Sequence, residues 1–397
     1  MNINLLLVII FYSLIILFLY KHRKNVEIQN KIFVLYKTKL GLRLMDKVSS
    51  KLKRLLNFLG YVSVGVGFIG MGFISFYLFK GTLHLLLKPT STPMLAPVLP
   101  GIKLPGLPVL SFWHWIIAIL FVAVVHEFCH GIYARLKNIK IKSSGFALLG
   151  PILAAFVEPD EKVLSKRKVK DQMFVFSAGP FANLIFAAIF LLVGMLIINP
   201  IILATVDFSG VKIVSVQEGY PANLSGIRVG EEILEINNKT INTVQNFTEE
   251  LANLTPSQIV TIKTNSSTYV VNATKHPKNP DKGYLGISVT PLNITLKEKF
   301  KKFGFLKYFL FWISELIFWL WVINFGVGLF NLLPLGPIDG GRMFFALIFS
   351  FVRKKEKAKK IFAFVTALFL FLIFINLLPY LIKLLIFLAK PITILFS

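Results

Sequence analysis

The sequence predicts an α-helical polytopic membrane protein, with six or seven transmembrane helices and one small inserted α+β domain. Of its 397 residues 55% are hydrophobic, Phe alone numbering 39, and mean hydropathy is +0.70; soluble domains are far less apolar. Six apolar runs approach or exceed the ~20 residues that cross hydrocarbon. They are residues 3–20, 60–79, 107–133, 174–199, 305–333 and 361–378. Between the fourth and fifth runs lies the one large polar segment, whose alternating residues read as strands.

The first run has a polar start, no basic n-region and no small-residue cleavage site, so it is expected to be a retained anchor. Residues 1–106 then form an N-terminal membrane region of two spans joined by a basic loop. From Lys21 to Arg54 eleven Lys or Arg face only Glu27 and Asp46, and basic residues crowd again at 135–170 and 353–360. Alternate loops are therefore basic, which puts those three in the cytoplasm. The formal net charge of +25 is thus placed for a lipid bilayer, and no nucleic-acid partner is expected. Residues 88–108, rich in Pro and Gly, read as an irregular outer loop. Lys297, Lys299, Lys301, Lys302 and Lys307 precede the fifth span on what parity makes the outer side, and are expected to form an interfacial segment. A last apolar piece, 381–396 within the C-terminal region 353–397, is interrupted by Lys383 and Lys390, hence the uncertain seventh span.

The third run carries His126-Glu127-Phe128-Cys129-His130. Ionisable residues at membrane depth are costly, so they mark function. At i and i+4 the two imidazoles share a helical face, with Glu127 about 100° around from the first. That arrangement presents two nitrogens to one Zn²⁺ per chain and a base to its water. Cys129 is the only cysteine, so no intramolecular disulfide forms, and small buried packing is its expected role. Residues 143–161 are too short to cross and are broken by Gly150 and Pro151; a re-entrant hairpin and a surface loop both fit. In the fourth run Gly179 and Pro180 are expected to break the helix and open a cavity beside Asn183.

A catalytic zinc takes three protein ligands. The candidate for the third is Asp339, in Asn331-Leu332-Leu333-Pro334-Leu335-Gly336-Pro337-Ile338-Asp339-Gly340-Gly341. The third and fifth spans both run from outside to inside, so Asp339 can reach the depth of the histidines, about 10 Å below the cytoplasmic face. The alternative is an Asp that caps a helix beginning at Gly340.

Within 206–295, strands are expected at 211–216, 233–236, 259–264 and 269–273, with a helix at 244–254. Gly219-Tyr220-Pro221-Ala222, Gly226-Ile227, Gly230-Glu231-Glu232-Ile233 and Ile236-Asn237-Asn238-Lys239 follow an order that resembles a PDZ domain, with Glu231 where Asp is usual and Asn238 where Gly is usual. Asn tolerates a positive φ, so the turn can survive. The resemblance implies a peptide ligand taken onto a strand edge, and a spacer that only blocks bulky ectodomains fits as well. Asn223, Asn238, Asn246, Asn253, Asn265, Asn272 and Asn293 each open an Asn-X-Ser/Thr triplet, and no other such triplet occurs in the chain. The domain is therefore expected to be extracytoplasmic.

Taken in order, the HExxH of the third run, Ser177-Ala178-Gly179-Pro180-Phe181-Ala182-Asn183 of the fourth and the Asn-x-x-Pro-x-x-Pro-x-Asp-Gly stretch of the fifth resemble the site-2 protease family of intramembrane zinc metalloproteases. The resemblance covers about 107–351, making 107–205 and 296–352 the two parts of a protease core. It implies that His126, His130 and Asp339 hold zinc, that Glu127 activates water, and that Asn183 contacts substrate backbone or the oxyanion. It further implies transmembrane protein substrates, received at the edge of a hairpin over Gly145 to Glu158, although Ala154 and Ala155 stand where glycines are common. Two other readings are open on the residues alone. One is a non-proteolytic scaffold or transporter whose histidines relay protons; the other is a peptidase whose third ligand is a glutamate such as Glu315.

Overall fold

The structure of the protein is a computed structural model that describes residues 3–29, 33–88, 91–102, 104 and 106–395. It divides into two compact units: one comprises the chain up to Gly194 and from Glu315 onward, the other Met195–Ser314.

In the first unit, α1 (Ile3–Lys21) is followed by antiparallel strands β1 (Val26–Gln29) and β2 (Phe33–Thr38). These lie where a basic loop was expected. The alternation Val26-Glu27-Ile28-Gln29 is strand-like, and the strands are held by pairing with a distant segment. After α2 (Leu42–Lys51), α3 (Lys53–Leu87) and α4 (Phe112–Leu136) come β3 (Ile141–Leu149) and β4 (Ile152–Pro159). Ser111 sets the start of α4, its hydroxyl accepting from the His114 amide at 3.2 Å. The sheet order is β1-β2-β3-β4, which leaves β4 on a free edge. Residues 143–161 thus hold a hairpin, turning at Gly150-Pro151 with Gly150 at φ +56°. Ala154 and Ala155 pair with Ala147 and Phe146 without a break in register, so the missing glycines do not disturb it.

A short α5 (Glu161–Leu164), capped by Asp160, leads into α6 (Val169–Val193). Contrary to expectation, α6 runs unbroken through Gly179 and Pro180. Proline costs one backbone hydrogen bond, a loss that packing among neighbouring helices tolerates. The core of this unit joins Met45, Tyr133, Phe174, Ala178, Leu332 and Met343. Two buried hydroxyls, Ser63 and Ser177, meet at 2.8 Å and fix α3 against α6.

The second unit contains α7 (Asn199–Thr205), β5 (Val206–Val216), α8 (Pro221–Leu224), β6 (Ile233–Ile236), β7 (Lys239–Thr240), α9 (Val244–Leu251), β8 (Ile259–Thr264), β9 (Thr268–Asn272), β10 (Thr274–His276), β11 (Asn279–Tyr284) and β12 (Ile287–Leu296). They form a sheet β7-β6-β8-β9 and the pairs β5-β12 and β10-β11. Ile213, Ile233, Ile236, Val260, Ile262 and Val271 are fully buried at its centre. Asn237 and Asn238 take φ of +50° and +64° at the β6–β7 turn, which is how Asn serves where Gly is usual. Glu231 is buried and accepts from Thr264 Oγ1 at 2.7 Å and Tyr269 OH at 2.9 Å, so the longer acid finds two donors. All seven Asn-X-Ser/Thr asparagines lie in this unit and are exposed.

The chain continues through α10 (Phe305–Phe330), α11 (Asp339–Val352) and α12 (Lys355–Leu395). Among the described residues five helices are long and apolar enough to cross a membrane: Lys53–Leu87, Phe112–Leu136, Val169–Thr205, Phe305–Phe330 and Lys355–Lys383; the apolar helix Leu6–Lys21 is shorter. The last apolar piece, expected as a seventh span, continues α12 rather than forming a separate helix among the described residues.

Candidate functional site

The i, i+4 spacing on α4 delivers what it promises locally: the rings of His126 and His130 lie with Nε2 atoms 3.1 Å apart. The third group arrives through the turn after α10. There the Gly340 amide donates to Asn331 O at 2.7 Å. A Cβ on Gly340 would run into the backbone of Leu332 and Leu333, and one on Gly341 into that of Leu335. Two glycines therefore let α11 start directly against the preceding turn. Asp339 is the first residue of α11, after an N-cap at Ile338, and its side chain does not cap the helix. Instead Oδ2 lies 3.0 Å from His126 Nε2 and 3.1 Å from His130 Nε2.

The three atoms make a nearly equilateral triangle. Ligands held about 2.0–2.1 Å from a tetrahedral zinc stand about 3.3 Å apart, so two nitrogens and one carboxylate oxygen at this spacing suit one zinc ion with a face left open. His126, His130 and Asp339 form the metal-compatible group among the described residues.

Helix α6 supports both rings. His130 Nδ1 is 2.7 Å from Val175 O, and His126 Nδ1 is 3.0 Å from Asn183 Nδ2. Gly179, between them, has no side chain because a Cβ there would press on Nε2 of both histidines. Ser177, Gly179 and Asn183 of this motif thus each meet a specific neighbour. Asn183 is fully buried beside His126, and the cavity at the cluster is walled by other groups.

That cavity, of about 330 Å³, is lined by the three clustered side chains together with Glu127, Phe156, Val157, Asn331 and Arg342. Glu127 Oε2 accepts the Val157 amide proton at 3.0 Å, so the acid touches the free edge strand β4. Arg342 bonds Glu161 at 3.1 Å and lies 5.6 Å from the centre of the Phe176 ring. Sequence reasoning gave no role to Arg342. Its position three residues after Asp339, on one helical face, was the available signal. Glu315, the alternative third ligand, is 3.9 Å from His114 instead. His114 precedes His126 by twelve residues on α4, about 18 Å of helix, so Glu315 belongs to the other end of that helix.

A family model, described as peptidase family M50, matches residues 114–375. A protein of Methanocaldococcus jannaschii described as uncharacterized is 33% identical over 353 residues, covering 86% of this chain and 85% of its own. A Clostridium perfringens protein provisionally named a zinc metalloprotease is 24% identical over 297 residues, 62% of this chain and 86% of that protein. Among solved structures, the PDZ domain of an SdrC-like protein from Listeria innocua aligns with 21% of this chain and 97% of its own, at 24% identity and a TM-score of 0.19, too slight a likeness to carry weight. With a family model matching more than half of its length and a relative one-third identical over most of it, the chain belongs to peptidase family M50, the site-2 protease family of zinc metalloproteases.

Proposed function

We propose that this protein is an intramembrane zinc endopeptidase that hydrolyses peptide bonds in or near the transmembrane segments of membrane-protein substrates, as in regulated intramembrane proteolysis. The observation that supports it is the triangle of His126, His130 and Asp339, set inside apolar helices with a carboxylate, Glu127, at the same cavity.

In this reading His126 Nε2, His130 Nε2 and Asp339 Oδ2 hold the metal. When bound, zinc supplies a Lewis acid that makes water acidic near neutral pH and steadies negative charge on a carbonyl oxygen. Glu127 takes the proton of the attacking water on its carboxylate and returns it to the leaving amine. Asn331, on the cavity wall with its amide nitrogen bonded to Val327 O, would offer its side-chain oxygen to substrate. A helical substrate must first unwind, because its peptide groups are shielded by their own hydrogen bonds. β4 offers backbone donors and acceptors along an open edge to such an extended segment.

The topology that goes with this puts the basic loops in the cytoplasm, the metal site nearer that face and the 206–295 domain outside. The exposure of all seven Asn-X-Ser/Thr asparagines suits that side. The domain would take an extended peptide as PDZ domains do.

The test is incubation of candidate single-span proteins with the purified enzyme in detergent, with fragment masses measured. Cleavage by wild type and none by Glu127→Gln is the expected result. Equal cleavage by both would overturn the assignment.

A further inference from the structure

An imidazole that gives its Nε2 lone pair to a metal carries its proton on Nδ1, so Nδ1 becomes a donor and needs an acceptor. His130 meets that demand, because Val175 O can only accept. At His126 the partner of Nδ1 is the carboxamide of Asn183, 3.0 Å away through its nitrogen. Two donors would then face each other. In the same side chain Oδ1 is buried with no hydrogen-bond partner, a costly state for a carbonyl oxygen.

Both difficulties have one remedy. Oxygen and nitrogen of a carboxamide exchange places by a half-turn about the last side-chain bond, and hydrogen-bond chemistry decides between the two settings. The half-turn sets Oδ1 against Nδ1–H of His126 and gives the orphan oxygen its donor.

We propose that Asn183 is a positioning residue whose carboxamide oxygen accepts the Nδ1 proton of His126 and so holds that ring in the tautomer whose Nε2 lone pair faces His130 and Asp339. This differs from a contact with the oxyanion, for which the group must reach the cavity; Asn183 is fully buried and touches the ring nitrogen remote from the cluster. The two metal-binding rings are then fixed by two acceptors on one helix, Val175 O and Asn183 Oδ1. The inference rests on the metal reading of the site.

The experiment uses the full-length protein in detergent, with zinc counted by elemental mass spectrometry and affinity measured by competition with a chelator. Wild type should bind about one zinc; none after careful handling would remove the metal reading itself. With zinc bound by wild type, Asn183→Leu, which has no acceptor, should weaken zinc binding by about 10- to 100-fold. Asn183→Asp keeps the acceptor and should bind within a few fold of wild type. Asn183→Leu binding as tightly as wild type, or Asn183→Asp failing as badly as Asn183→Leu, would overturn the proposal while leaving the metal site intact. A second measurement needs neither variant to fold. In zinc-loaded wild type with ¹⁵N-labelled histidine, Nδ1 of His126 should be protonated, and an unprotonated Nδ1 would overturn the proposal.

Discussion

Asp339 Oδ2 stands 3.0 Å from His126 Nε2, although 213 residues separate them in the chain. The contact joins the first residue of α11 to the middle of α4, and both ends are fixed by backbone. On one side the helical repeat aligns His126 with His130. On the other, Gly340 and Gly341 press α11 against the turn before it, so the aspartate has little freedom to turn elsewhere.

Glu127→Gln should keep the metal and lose the reaction. The amide is nearly the same shape and can still accept from the Val157 amide, but it cannot take a proton from water. Cleavage should fall by at least about 10²-fold, with zinc content unchanged in elemental analysis. A variant that lost zinc together with activity would make Glu127 part of the metal site rather than the base.

Asp339→Ala should abolish both. In the proposed site one of three ligands goes, and two imidazoles 3.1 Å apart lose the negative charge beside them. Zinc affinity should drop by more than about 100-fold, the upper end of what loss of a supporting hydrogen bond costs a metal site. Chelation of wild type should mimic the variant, and added zinc should restore wild type alone.

Gly179→Ala should be more harmful than its size implies. The new methyl group would press on Nε2 of His126 and His130, forcing α6 away from α4 at a cost of about 1–3 kcal/mol. Weaker zinc binding with a near-normal helical spectrum is the expected pair of results. Unchanged zinc affinity would show that α6 can shift freely there.

In the second unit, Glu231→Ala should cost about 1 kcal/mol, since half-buried Tyr269 loses its acceptor while Thr264 can still donate to Ser267 O. Tyr269 adds a pH dependence. Loss of hydration, then its bond to Glu231, raises the phenol above its ordinary value. The proton is held more tightly in the folded state, so this contribution is full below about pH 10 and fades as pH rises through the raised value. Thermal unfolding followed from pH 8 to 11 should show an alkaline fall in wild type that is flatter in Tyr269→Phe.

Much of this site could be read from residue order because its parts are local. The i, i+4 histidines need only a helix, and Asn237-Asn238 need only a tight turn, whose positive φ values the structure bears out. Asp339 required one further step, span parity, to bring a distant motif to the same depth. What could not be read was set by tertiary contact. β1 and β2 form because β2 pairs with β3 more than a hundred residues later. Pro180 reads locally as a break, yet α6 passes through it, because its neighbours hold the helix where the chain alone would not.

Val175 and Asn183 lie two turns apart on a single rod, and each touches a different imidazole. A slide of that rod along its axis therefore disturbs both rings together, and neither can be spared. In the proposed site, a shift in the depth at which a bilayer holds α6 would therefore loosen both imidazoles in step, where a change to one side chain loosens only one.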